Sequence, residues 1–296
     1  MPRVARYPVL LFLAIVLAGA AVLGPVIYFA AGAIWPIPFH RAMDRALLIS
    51  AVVAVLAAGP GVGWRRLWPV SREWSLQILI GLGLAFVTVQ ALLGFELAAA
   101  GFHSSGLGGS KAVGRVLLAV VAAVIAAPLE ELVFRGFLQT ELSRTFGWRG
   151  GWIIAGAIYM LAHFIKIPVG LDGQPVDLWS GATALGAAFA ETARSLTVPE
   201  NVLKAANLFA LGLVLGGLFL RAGQLWTNTG LHAGLILALL LFTGFARVDD
   251  PSRLPFFGGD LLSSPLTFLV FVALGLWIWR YYRNPSVVPE NGESAD

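Results

Sequence analysis

Five ionisable side chains, Glu130, Glu131, Arg135, His163 and His232, lie in or at the ends of long apolar runs, where charge is costly and therefore functional by default. The run PLEELVFRGFLQTEL, Pro128 to Leu142, places two carboxylates and a guanidinium at the end of one such stretch. On a single helix over 113–145, Glu131 and Arg135 are i and i+4 neighbours and pair. Glu130 is turned about 100° away, in line with Phe134, Phe137 and Leu138, so its carboxyl is expected on the apolar packing side. That predicts one neutralised and one desolvated carboxylate, the second suited to general-base work. An isolated EExxxR run fits an intrahelical salt bridge with a helix-gluing glutamate just as well, so the spacing of the next candidates matters.

His163 follows in IYMLAHF, and FGWRGG at 146–151 reads as a helix-to-helix turn. The midpoint of 130 and 163 falls inside that turn, and in an antiparallel hairpin equidistant residues share a height. Glu130 and His163 are thus expected level with each other. His232, in TNTGLHAGLIL, is a third ionisable group inside an apolar run, with interhelical hydrogen bonding as its plainer role. His40 and His103 fall in predicted loops and receive no role.

The elements that must position these groups are membrane helices. Of 296 residues, 58% are hydrophobic and 12% charged, against roughly 25% charged in soluble domains. Apolar stretches of about 17 to 25 residues, enough to cross a bilayer, recur along the chain. They predict an all-α polytopic bundle of about eight spans, near 8–34, 46–63, 76–99, 113–130, 152–167, 203–220, 225–246 and 263–280. The first run is too long for the apolar core of a signal peptide and is expected to be retained. The organisation expected is N-terminal helices over 1–111, a catalytic core over 112–246, a last helix within 247–284 and a disordered tail, 285–296, all in one domain. The connection 167–202 is long enough to carry its own helix, with 179–195 a candidate interfacial or re-entrant segment. Gly212 and Gly216, four apart, predict close helix packing. Arginines at helix ends favour cytoplasmic termini.

Composition also excludes. The absence of cysteine removes disulfides, thiolate ligands and a cysteine nucleophile. A net charge of +4 does not point to nucleic acid, because the basic residues stand singly at helix ends, where lipid headgroups explain them.

The motifs resemble the CAAX protease and bacteriocin-processing (Abi) family of intramembrane endopeptidases, whose pattern is EExxxR, FxxxH and HxxxN or HxxxD on three helices. Glu130, Glu131 and Arg135 complete the first motif, and Tyr159 to His163 match the second with Tyr for Phe. LRAGQLWTNTGLHAG resembles the approach to the last histidine, His232, but Ile236 stands where Asn or Asp is expected. Asn228, one turn before His232, is a candidate for the missing amide. The likeness covers about 112–245.

The resemblance implies peptide hydrolysis: Glu130 as general base, His163 orienting the water or sharing its proton, and His232 stabilising the oxyanion, with Glu131 and Arg135 holding the helix geometry. Glu130, His163 and His232 also match a His₂Glu zinc set, so zinc is a possible cofactor. The partners implied are a peptide or membrane-protein substrate and the bilayer. HExxH, GxGD and GxSG are absent, which sets aside other membrane-protease classes. The alternative of another class is a transporter or a peptide-binding immunity protein, although no inverted repeat supports transport.

Overall fold

Proline and glycine punctuate the apolar runs, and the helices begin and end at that punctuation. A computed structural model describes residues 8–32, 34, 37–58, 67–70, 72–100, 102–104, 108–248 and 261–281. Its helices are α1 (Pro8–Gly32), α2 (Phe39–Ala58), α3 (Trp74–Ala100), α4 (Gly109–Glu131), α5 (Thr140–Phe164), α6 (Ser180–Leu196), α7 (Pro199–Ala222), α8 (Trp226–Phe245) and α9 (Pro265–Tyr281). A π-helical segment, Leu132–Gln139, joins α4 to α5 without a break. The fold is the expected all-helical membrane bundle. Its small β component is an antiparallel pair, β1 (Phe102–Ser104) with β2 (Ala246–Val248).

Helical stretches over Pro8–Gly32, Gly109–Phe164 and Asn201–Ala222 are long and apolar enough to cross a membrane, and shorter apolar helices lie at Trp74–Val89, Trp226–Leu241 and Pro265–Arg280. Within the 56-residue stretch, Gly147 has φ 71° and breaks the helix. The chain reverses there: a Cβ on Gly151 would collide with the backbone of Ser143, eight residues back. The turn expected at 146–151 is therefore present. The second expected span starts earlier than 46, because α2 carries His40, Arg41, Asp44 and Arg45 in its first two turns. The rest of that span, 59–63, and the tail 285–296 lie outside the described residues.

The helices fall into two compact units, residues 1–62 with 158–202 and residues 63–157 with 203–296. In the first, α1 and α2 form an antiparallel hairpin with small residues at the crossing. A Cβ on Gly24 would collide with the Met43 sulfur, and one on Gly19 would lie 2.7 Å from the Ser50 hydroxyl. Helix α6 packs on this hairpin through Ala184, Leu185 and Ala188, which share a core with Ala20, Phe39, Met43 and Ala46. Gly181 sits against the Ala21 carbonyl with no room for a side chain. The long connection thus does carry a helix, over 180–196. His40, expected in a loop, is helical. Its backbone N–H donates to Asp172 Oδ1 (3.1 Å), and its ring Nδ1 pairs with Oδ2 (2.6 Å), so the carboxylate caps α2 and clasps the 165–179 segment to it.

In the second unit α8 has two unlike faces. Gly230 and Gly234 face α3: a Cβ on Gly230 would strike the Ile78 carbonyl, and one on Gly234 would lie 2.5 Å from the Ala85 methyl. The approach is reciprocal, since a Cβ on Gly81 would collide with the Thr227 carbonyl. Such small-residue contacts let helix backbones meet where no hydrophobic driving force exists. Asn228 and His232 are one turn apart and two residues out of phase with these glycines, so they project to the other side of α8.

Candidate active site

The side of α8 away from α3 meets the end of α4. Glu131 and Arg135 make the expected pair, Arg135 Nη1 donating to Glu131 Oε1 at 3.1 Å. Glu131 is fully buried, and Arg135 is 2% exposed. From α8, His232 Nδ1 lies 2.8 Å from Glu131 Oε1 and Asn228 Nδ2 donates to Glu131 Oε2 at 3.3 Å. Both carboxylate oxygens of Glu131 are thus engaged, by side chains from two helices. A carboxylate can only accept, so Nδ1 of His232 carries the proton and Nε2 is left facing elsewhere.

It faces Glu130. The Glu130 Oε2 to His232 Nε2 distance is 3.6 Å, longer than a direct hydrogen bond, and the Glu130 side chain keeps 26% of its surface exposed. Its Oε2 is nonetheless enclosed, so Glu130 is desolvated in part, facing the polar side of α8 rather than the apolar packing expected. Glu131 is the fully buried one. The wide π turns that begin at Leu132 also remove the simple α-helical alignment of Glu130 with Phe134, Phe137 and Leu138. π segments interrupt helices frequently at functional sites.

Two further polar contacts hold the π segment in register with α7. Arg135 Nη2 donates to the Gly212 carbonyl (3.4 Å) and Gln139 Nε2 to the Gly216 carbonyl (3.0 Å), the same offset one turn on. Gly216 has no room for a side chain: its Cβ would lie 2.7 Å from Gln139 Oε1 and 2.8 Å from Trp152. The close packing expected of Gly212 and Gly216 exists for this reason, to present carbonyls to Arg135 and Gln139. Gln139, only 1% exposed, was not singled out by the sequence reading. Its spacing of four from Arg135, on the same helix face, was the available signal.

Asn228 does not offer a donor to a reacting group. Its amide hydrogens go to Glu131 and to the Leu215 carbonyl (2.6 Å), so it is a strut between α7, α8 and the buried carboxylate. Ile236 leaves no amide one turn after His232 either.

The second unit therefore brings Glu130, Glu131, Arg135, Asn228 and His232 together. Tyr159 and His163 belong to the first unit. There, His163 Nδ1 donates to the Tyr159 carbonyl (2.9 Å), and the two rings lie 4.3 Å apart at 51°. The aromatic at the start of the FxxxH-like motif thus lies tilted against the histidine and, by its carbonyl, sets the tautomer with Nε2 as the ring acceptor. No three His, Asp or Glu side chains among the described residues are grouped so as to hold a metal ion.

Residues 112–238 match the family model described as type II CAAX prenyl endopeptidase, Rce1-like. That segment, somewhat under half of the chain, is similar to the CAAX-protease family. The matched segment coincides with the one on which the EExxxR, YxxxH and His232 motifs were found, and it contains every residue of the buried network. No curated protein and no solved structure matches the chain. The long apolar helices mark an integral membrane protein.

Proposed function

We propose that this protein is an intramembrane endopeptidase in which Glu130 activates water, His163 orients that water or shares its proton, and His232 stabilises the oxyanion. The observation that carries the reading is the unequal treatment of two adjacent carboxylates by one imidazole. Glu131 is closed off on both oxygens and fixes the His232 tautomer. Glu130 keeps an exposed portion and faces His232 Nε2 across 3.6 Å.

In the reaction Glu130 takes a proton from water while the water oxygen adds to the scissile carbonyl carbon. In the proposed step an Nε2–H of His232 donates to the oxyanion while Nδ1–H stays on Glu131. The C–N bond then breaks, and Glu130 returns the proton to the leaving amine. With the Asn228 amide occupied and Ile236 apolar, His232 is the single side-chain donor assigned to the oxyanion. Were zinc to bind, Glu130, His163 and His232 would hold it, and it would supply Lewis-acid polarisation of water or the scissile carbonyl.

Cleavage of a quenched fluorescent CAAX-type peptide, prenylated and unprenylated, by the protein in nanodiscs tests the reading. Wild type is expected to cleave and Glu130→Gln to be inactive at unchanged yield and melting behaviour. A cleaving Glu130→Gln variant overturns the assignment. Activity lost to a chelator and restored by zinc replaces the metal-free mechanism. The same preparation tests topology: eight spans place both termini on one side, expected to be cytoplasmic, and opposite accessibility of the two termini rejects the even count.

A further inference from the structure

In the first unit the connection between α5 and α7 changes depth twice. Helix α1 has 25 residues, about 37 Å at 1.5 Å per residue, so it overspans a hydrocarbon core of about 30 Å by only a few Å at each end. Its centre therefore lies near the bilayer midplane. Ala21 is one residue past that centre, and Gly181 is seated against the Ala21 carbonyl with no room for a Cβ. The first turn of α6 is thus at the midplane. Its other end is at the membrane face, where Thr192 Oγ1 donates to the Phe164 carbonyl at the C-terminus of α5 (2.9 Å). Eleven residues separate Gly181 from Thr192, about 16 Å of helix, and the same count separates Ala21 from Gly32 at the end of α1. The composition of α6 follows this depth: 181–190 carries no charged residue, and the Glu191–Arg194 ion pair comes only beside Thr192.

The limb that descends to Gly181 is not helical. It leaves Asp172, clasped to His40 at the start of α2, and reaches Ser180 with Gly173, Gln174, Pro175, Asp177, Leu178 and Trp179 exposed. Asp177 is fixed at the head of α6, its Oδ1 accepting from the Trp179 N–H, the Ser180 N–H and the Ser180 hydroxyl, each at 2.9 Å. Its carboxylate is too short and too firmly held to reach the surface. Irregular backbone at membrane depth is tolerated only inside protein or beside water, and a carboxylate there needs the same. These residues are exposed, which leaves water. We infer that residues 172–196 form a re-entrant hairpin whose descending limb lines a water-filled vestibule, open at the Asp172 face and ending near the bilayer midplane at Asp177. Of the interfacial and re-entrant placements open to this segment, the seat of Gly181 selects the second. The vestibule lies in the first unit and stands independently of the catalytic reading. Only its use rests on that reading, as a route by which water, the second substrate of a hydrolase, enters the bilayer interior.

The chain has no cysteine, so a bimane fluorophore on one introduced thiol reports a single position. The full chain in phosphatidylcholine vesicles is read with two kinds of quencher, aqueous iodide and phospholipids carrying a nitroxide on the headgroup or near the acyl-chain end. Bimane on Asp177→Cys is expected to be quenched by iodide and, among the nitroxides, more by the chain-end than by the headgroup label. Val22→Cys, next to Ala21 and 61% exposed on α1, is expected to show the same depth with iodide quenching lost. Trp179→Cys, which leaves the Asp177 carboxylate in place, is expected to match the depth of Asp177→Cys. Stronger headgroup quenching at position 177 or 179 puts the loop at the surface and overturns the inference. Iodide quenching no greater for Asp177→Cys than for Val22→Cys makes the hairpin dry and overturns the vestibule. Should Asp177→Cys fail to fold, Trp179→Cys decides the depth and Gln174→Cys the access of iodide, by the same criteria. None of these readings requires peptide cleavage, so failure of the catalytic assignment leaves them unchanged.

Discussion

The two compact units solve helix packing with different materials. In the first, α1, α2 and α6 meet through Gly19, Gly24, Gly181 and a row of alanines, and its His40–Asp172 ion pair sits at the edge, partly exposed. In the second, a carboxylate, a guanidinium, an amide and an imidazole are buried together where α4 and α8 meet. Small residues hold the first unit's helices together, whereas in the second Arg135, Gln139 and Asn228 also tie helices to one another. Charges buried within membrane helices point to chemistry. The contrast repeats on a finer scale within α8, whose glycine face packs on α3 while its polar face meets Glu131.

The sharpest break in that comparison comes from Glu130. Glu130→Gln is expected to lower peptide cleavage by about 10²- to 10⁴-fold, the range of a lost general base, with thermal stability unchanged. A stability loss as large as that of Glu131→Gln would erase the distinction between the two carboxylates. Glu131→Gln is expected to destabilise by about 3 to 5 kcal/mol, because Arg135 is left buried beside a neutral amide. Reversible unfolding in mixed micelles measures it. Gly230→Leu is expected to cost about 1 to 3 kcal/mol through overpacking against Ile78. Disulfide crosslinking between cysteines placed on the facing sides of α3 and α8 tests whether the two helices separate.

The smallest effect is expected in the first unit. Burial alone would raise the Asp172 pKa, but the backbone N–H and ring of His40 outweigh it and hold the carboxyl below its usual range. A carboxylate whose folded pKa is depressed stabilises above its unfolded pKa, and the contribution disappears as pH falls through the folded value. Asp172→Asn is expected to cost about 0.5 kcal/mol at neutral pH and nothing at a pH below the folded value. Protease sensitivity of the 165–179 segment reports it, and a pH-independent difference would disconnect the clasp from ionisation.

Apolar run length and Gly/Pro punctuation made the helices readable in the sequence, and the turn at Gly147 followed from FGWRGG. The i, i+4 spacing of Glu131 and Arg135 was likewise legible, because it depends on one helix alone. What the sequence did not disclose was which carboxylate is buried. That depends on which face of α8 meets α4, and the face is set by the clearances of Gly230, Gly234 and Gly81 against α3. Periodicity on α4 placed Glu130 against apolar packing, since it takes no account of a polar partner or of the π turns at Leu132. The commitment of Asn228 to Glu131 and Leu215, and the pairing of Gln139 with Gly216, are contacts between elements and have no local signature. His40 was read as loop because the charges beside it obscured the start of α2.

The placement of His232 between Gly230 and Gly234 has a mechanical consequence. With both glycines seated against α3 and no space for a Cβ, α8 cannot roll about its long axis without driving bulk into the Ile78 and Ala85 contacts. The azimuth of the imidazole is therefore locked by residues that never touch it. For the proposed peptidase this makes α8 the fixed wall of the site, and a movement that admits a peptide falls to other helices.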